Sequence, residues 1–118
     1  MDGRQQHLSE RLRDLIRQTA EVASELQRCQ WLDPRRVHYS QIELAAHAVG
    51  RELSCRIQER STREVAAEAT PEAACPTCGR GCRIETDERT IASIDGPVEV
   101  TELQAKCDRC RRSFFPSA

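Results

Sequence analysis

The chain has 118 residues, of which 38% are hydrophobic and only 3% aromatic, against 31% charged. That is room for one ordinary domain or two small ones around a thin core, because folding at this size buries about two-thirds of the unfolded chain's surface. Eighteen Lys and Arg against nineteen Asp and Glu give a formal charge of −1, which excludes the broad positive field of a nonspecific nucleic-acid binder.

No apolar run of about 18 residues is present, and the N-terminal residues lack the apolar stretch of a signal peptide. The expectation is a cytoplasmic chain with no membrane partner. In a reducing compartment, seven cysteines read as metal ligands or small core residues rather than as disulfides.

Leu8, Leu12, Leu15, Thr19, Val22, Leu26 and Cys29 recur at alternating spacings of 4 and 3, the seam of a heptad repeat, and Ile16 and Ala23 widen it. Gly and Pro are absent between Arg4 and Asp33, so the spacing predicts a helix from about Gln5 to Leu32 that stops near Asp33-Pro34. Ser40-Gln-Ile-Glu43 then has the form of a capping box. It opens a second helix with the apolar face Ile42, Ala45, Ala46, Val49, Leu53 and Ile57, closed by Thr70-Pro71.

Two such helices joined by a loop of about eight residues predict an antiparallel hairpin over residues 1–71. Its unpaired face would meet another chain, and Leu8, Leu12, Leu15, Val22 and Leu26 are the expected homodimer contacts. The plainer alternative is a helical spacer, since basic and acidic side chains balance over this half.

Beyond Pro71 the period changes. Thr90–Ile94 and Val98–Leu103 alternate as strands and flank Asp95-Gly96-Pro97, a hairpin connection. On either side stand Cys75-Pro-Thr-Cys78 and Cys107-Asp-Arg-Cys110. A two-residue gap lets both thiolates of a tight turn reach one metal ion, and Gly79 permits the positive φ of such a knuckle.

Two knuckles make a tetrahedral site. Cys75, Cys78, Cys107 and Cys110 are therefore the expected ligands of a structural zinc in a small antiparallel ribbon over residues 72–118, and the fold class is α+β. The 28 residues between the pairs exceed the commoner spacing of about 15–20 and accommodate a longer hairpin. Cys82 is either a substitute ligand or a bystander. The competing redox reading, in which Cys75 and Cys78 form a thioredoxin-like dithiol, lacks the βαβ context and leaves the second pair unexplained.

His7, His38 and His47 have no metal-ligand spacing, and no phosphate-binding Gly-rich loop or nucleophile elbow occurs. The chain is thus expected to be a non-enzyme without a small-molecule substrate. Basic and aromatic residues interleave only in Lys106–Phe115. Arg109, Arg111 and Arg112 are candidate phosphate contacts to DNA, while Phe114 and Phe115 either stack on bases or cover the metal. A basic tip of this kind would also suit a protein partner.

Taken in order, Glu43, Gly50-Arg51, Cys75-Pro-Thr-Cys78-Gly79, Asp95-Gly96-Pro97-Val98 and Cys107-x-x-Cys110 leading to Phe114-Phe115-Pro116 make an arrangement over residues 40–116. It resembles the N-terminal region of bacterial insertion-sequence transposases of the Kra-four type. The resemblance implies a helical segment and zinc ribbon that engage transposon DNA, with the Asp-Asp-Glu catalytic domain of the family lying beyond this stretch. The family's basic residue and paired tyrosines before the second knuckle are replaced here by Glu102 and Gln104-Ala105.

Overall fold

The structure, a computed structural model, describes residues 2–116. The heptad stretch forms helix α1 (Gly3–Gln30). Asp2 opens it with a capping box: its carboxylate accepts the Gln5 N–H at 2.7 Å, and the Gln5 side chain accepts the Asp2 N–H at 3.1 Å, so amides that a helix start leaves unpaired are satisfied. After the helix, Asp33 makes the expected turn, accepting the Arg35 N–H on its carboxylate and the Arg36 N–H on its carbonyl, both at 3.0 Å.

Helix α2 (Tyr39–Ala67) starts one residue before Ser40. Ser40 is itself helical, so the expected Ser40–Glu43 box is replaced by another device: the Gln41 side chain accepts the His38 N–H at 3.0 Å.

Neither helix has a buried residue, and the α1 seam meets solvent, with Leu12 55% and Val22 66% exposed. The contacts of the chain divide it within α2, after Gly50, so the second half of α2 belongs with the sheet.

That sheet is antiparallel in the order β1 (Glu72–Ala74), β2 (Gly81–Ser93), β3 (Gly96–Cys107) and β4 (Arg112–Phe114). Two helices followed by four antiparallel strands is the α+β fold expected. The β2–β3 hairpin runs from Ile84↔Ala105 to Ser93↔Gly96 with unbroken register and is longer than its apolar alternation suggested. Its extra length carries charged side chains such as Asp87, Glu88 and Arg89. Its tip is Ile94-Asp95, one residue earlier than expected. Gly96 then opens β3 at φ 121°, a backbone that side-chain-bearing residues rarely adopt.

Strand β3 buries Val98 and Val100 near the tip but Ala105 and Cys107 near the knuckles. Successive side chains of a strand point to opposite faces, so these two sets lie on opposite faces of one continuous ribbon. Because the register does not slip, what changes along the strand is the element that covers it. Beside the tip half runs α2. Glu59 accepts the Glu99 N–H at 3.1 Å and Thr62 the Thr101 N–H at 3.2 Å, while Ser54 donates to the Asp95 carboxylate.

These contacts satisfy an edge of β3 that β4, paired only with residues 105–107, leaves open, and an open edge invites unwanted strand pairing. They also decide which side of α2 docks. Ser54, Cys55, Gln58, Glu59, Thr62 and Ala66 are half-buried, whereas Leu53 and Ile57 of the expected apolar face stay exposed.

Candidate metal centre

Two turns of the same design meet at one end of the ribbon. Cys75–Cys78 follows β1, and Cys107–Cys110 leaves β3. In each, the residue after the second cysteine donates its N–H to the carbonyl of the first: Gly79 to Cys75 at 2.9 Å and Arg111 to Cys107 at 2.7 Å. Closing the turn this way requires a positive φ, which is 75° at Gly79 and 55° at Arg111. Glycine adopts it freely, whereas Arg111 does so at a cost of about 1 kcal/mol. The sequence signalled only the glycine knuckle.

The four sulfurs of Cys75, Cys78, Cys107 and Cys110 all lie within 4.8 Å of one another. Across the knuckles, Cys75 Sγ is 3.9 Å from Cys110 Sγ, and Cys78 Sγ is 3.6 Å from Cys107 Sγ. A tetrahedral zinc with bonds of about 2.3 Å separates its sulfurs by about 3.8 Å, so the set fits one such ion. These four cysteines are positioned to bind one metal ion.

Cys75 and Cys107 are buried, and Cys78 and Cys110 are partly exposed. Ile84, Ala105 and Phe114 pack around them. Phe114 packs against the cysteine cluster, while Phe115 is 71% exposed.

The backbone already favours thiolate at the first cysteine of each knuckle. The N–H of Cys110 points at Cys107 Sγ from 3.4 Å and, with lesser neighbours, holds that thiol down to about 6. The N–H groups of Cys78 and Thr77 lower Cys75. Hydrogen bonding with the Cys78 thiol, followed by burial, pushes Cys110 up to about 12, so the cluster holds protons that a metal must displace.

Cys82, left open by the sequence, is buried in the same small core but does not join the four sulfurs. Its Sγ donates to the Arg80 carbonyl at 3.3 Å, and burial raises its pKa. Cys29 is exposed, and Cys55 is half-buried with its sulfur toward the Asp95 carbonyl at 3.5 Å.

Arg109, Arg111 and Arg112 are all exposed on or beside the second knuckle, and none of them makes an ion pair among the described residues. Sequence reasoning named Lys106 in this segment but missed Arg80 and Arg83, which the fold brings beside it. Arg80, Arg83, Lys106 and Ser113 line a polar cleft of about 400 Å³ beside the same knuckles, together with Glu85 and Asp108. The signal was the hairpin register: once the strands are extended past Ile84↔Ala105, Arg83 and Lys106 come to the same end. Among the described residues no helix is long and apolar enough to cross a membrane. No protein family, curated protein or solved structure matches this chain.

Proposed function

We propose that the protein is a non-catalytic zinc ribbon that presents a basic tip to the phosphate backbone of DNA, in the manner implied by its resemblance to the transposase N-terminal region. Four thiolates close a tetrahedral zinc and leave no open position for substrate or water, which supports a structural metal rather than a reaction centre.

The observation that carries the DNA reading is the segregation of charge along the ribbon. Of its seven basic side chains, Arg80, Arg83, Lys106, Arg109, Arg111 and Arg112 sit at the knuckle end. The seventh, Arg89, is paired with Glu102 at 2.6 Å in the middle of the hairpin. Asp87, Glu88, Asp95, Glu99 and Glu102 lie along the middle and tip, while Glu72, Glu85 and Asp108 stand at the knuckle end, so that end holds six basic against three acidic side chains even though the ribbon's total charge is near zero. Local positive charge of this kind steers phosphate where net charge does not.

The test is fluorescence anisotropy of zinc-loaded protein on random duplex DNA over a salt series. Affinity should fall steeply with salt, and the slope should shrink by about one for each phosphate contact removed. Arg109→Gln and Arg112→Gln remove two such contacts. At residue 111 glycine is the appropriate replacement, because it suits the positive φ. Absence of binding at low salt would overturn the DNA reading.

A second reading is favoured by the exposed seam of α1: the helix recruits a protein partner while zinc only holds the ribbon. Under that reading the arginine substitutions leave partner binding unchanged.

A further inference from the structure

Helix α1 is 28 residues long without one buried side chain, although Leu8, Leu12, Leu15, Ile16, Val22 and Leu26 form one continuous stripe on it, each of them roughly half or more exposed. A lone helix in water draws little stability from propensity, and most helices in proteins are held by packing an apolar face. The residues flanking the stripe indicate what covers it.

In heptad terms the seam places Leu12, Thr19 and Leu26 at a and Leu8, Leu15, Val22 and Cys29 at d. One flank, the e positions, then reads Ser9, Ile16, Ala23 and Gln30. The other, the g positions, reads Arg4, Arg11, Gln18 and Glu25. In a parallel pair each g residue faces an e residue of the other helix. Arg11 would then lie on Ile16, Gln18 on Ala23, and Glu25 on Gln30, so charge meets apolar surface and no opposite charges meet.

In an antiparallel pair like flanks face each other. With the helices fully overlapped, Leu8 packs on the partner's Leu26, Leu12 on the partner's Val22 and Leu15 on the partner's Thr19. On the apolar flank Ile16 meets the partner's Ile16 at the two-fold axis. On the polar flank Arg11 meets the partner's Glu25 twice by symmetry. Sliding the pair by one heptad deprives Ile16 of its like partner: one way it sets Gln18 against Glu25, and the other way it keeps an opposite-charge match as Arg4–Glu25 but leaves Leu26 without a seam partner.

We propose that α1 is the self-association surface of this protein and pairs with a second copy of itself, antiparallel, in the register that sets Arg11 against the partner's Glu25. The inference rests on reading the α1 seam as an association face, takes up the homodimer expected from the heptad seam, and adds its orientation and register.

Orientation and association are tested separately on the full zinc-loaded chain. Sedimentation should give a mass about twice 13.4 kDa, and Leu15→Asp should reduce it to the monomer. Arg11→Glu alone and Glu25→Arg alone should each weaken dimerisation about ten-fold, the scale of two lost ion pairs replaced by repulsion. The double reversal should restore it.

Cysteine crosslinking reads the direction. Cys29, the exposed cysteine of α1, lies opposite the partner's Gln5 in the antiparallel pair and opposite its own copy in a parallel one. Mild oxidation should leave the unmodified chain uncrosslinked and should convert Gln5→Cys into a covalent dimer through Cys29. That product should be lost when Cys29→Ser is added. A Cys29–Cys29 bridge in the unmodified chain would overturn the antiparallel geometry while leaving the association face intact. A monomer at tens of micromolar would overturn both.

Discussion

The two halves of the ribbon share a pair of strands and are stabilised in different ways. Near the tip, Val98 and Val100 are buried on one face, and the exposed edge amides of β3 are taken by Glu59 and Thr62 of α2. Near the knuckles, Ala105 and Cys107 are buried on the other face, packed with cysteines whose sulfurs converge on one point. A chain with four aromatic residues in 118 cannot fill both faces with side chains. It covers one half of the sheet with a helix and centres the other on four cysteines positioned to bind one metal ion, and a bound metal is one way in which modules too small for an ordinary core become stable.

The comparison breaks most visibly at the knuckles. Cys107→Ser should abolish metal binding and remove a contribution on the order of 10 kcal/mol, comparable to the whole stability of a small domain. Backbone NMR should then show residues 104–114 losing their strand signals while α1 stays helical.

Val98→Ala acts in the other half. Deleting two buried methyl groups should cost about 2 kcal/mol in chemical denaturation and leave zinc affinity unchanged, a separation that would fail if both halves were held by the metal alone. Thr62→Val, which removes the acceptor for the Thr101 N–H, should cost about 1 kcal/mol and speed amide exchange at Thr101. The smallest effect is expected at Arg111→Gly, which should stabilise the zinc-loaded protein by up to about 1 kcal/mol through relief of the positive φ. Any loss there would show that the arginine side chain contributes to the knuckle.

What the sequence made legible is what short spacings encode. The α1 helix follows from an uninterrupted period of 3 and 4, and the two knuckles from paired cysteines two residues apart. The convergence of Cys75, Cys78, Cys107 and Cys110 follows in turn from the hairpin, expected around Asp95-Gly96-Pro97 and closed at Ile94-Asp95, which folds one pair back onto the other.

The docking side of α2 was not legible. Leu53 and Ile57 obey the apolar period, but the open edge of β3 needs acceptors more than it needs methyl groups, and that need exists only once the sheet has formed. The Arg80–Arg83–Lys106 cleft was hidden for a related reason: it depends on strand register over residues whose charged side chains mask their alternation. Ser40 does not cap because the helix starts one residue earlier, at Tyr39, with the Gln41 side chain accepting the His38 N–H.

The most direct test of the account is native mass spectrometry of the protein expressed in zinc-supplemented medium, read beside cysteine alkylation before and after chelation. One zinc per chain is expected. Cys75, Cys78, Cys107 and Cys110 should resist alkylation until the chelator is added, and Cys29 should react throughout. A metal-free chain, or one in which these four cysteines alkylate as fast with zinc as without it, would contradict the metal-centred ribbon on which the rest depends.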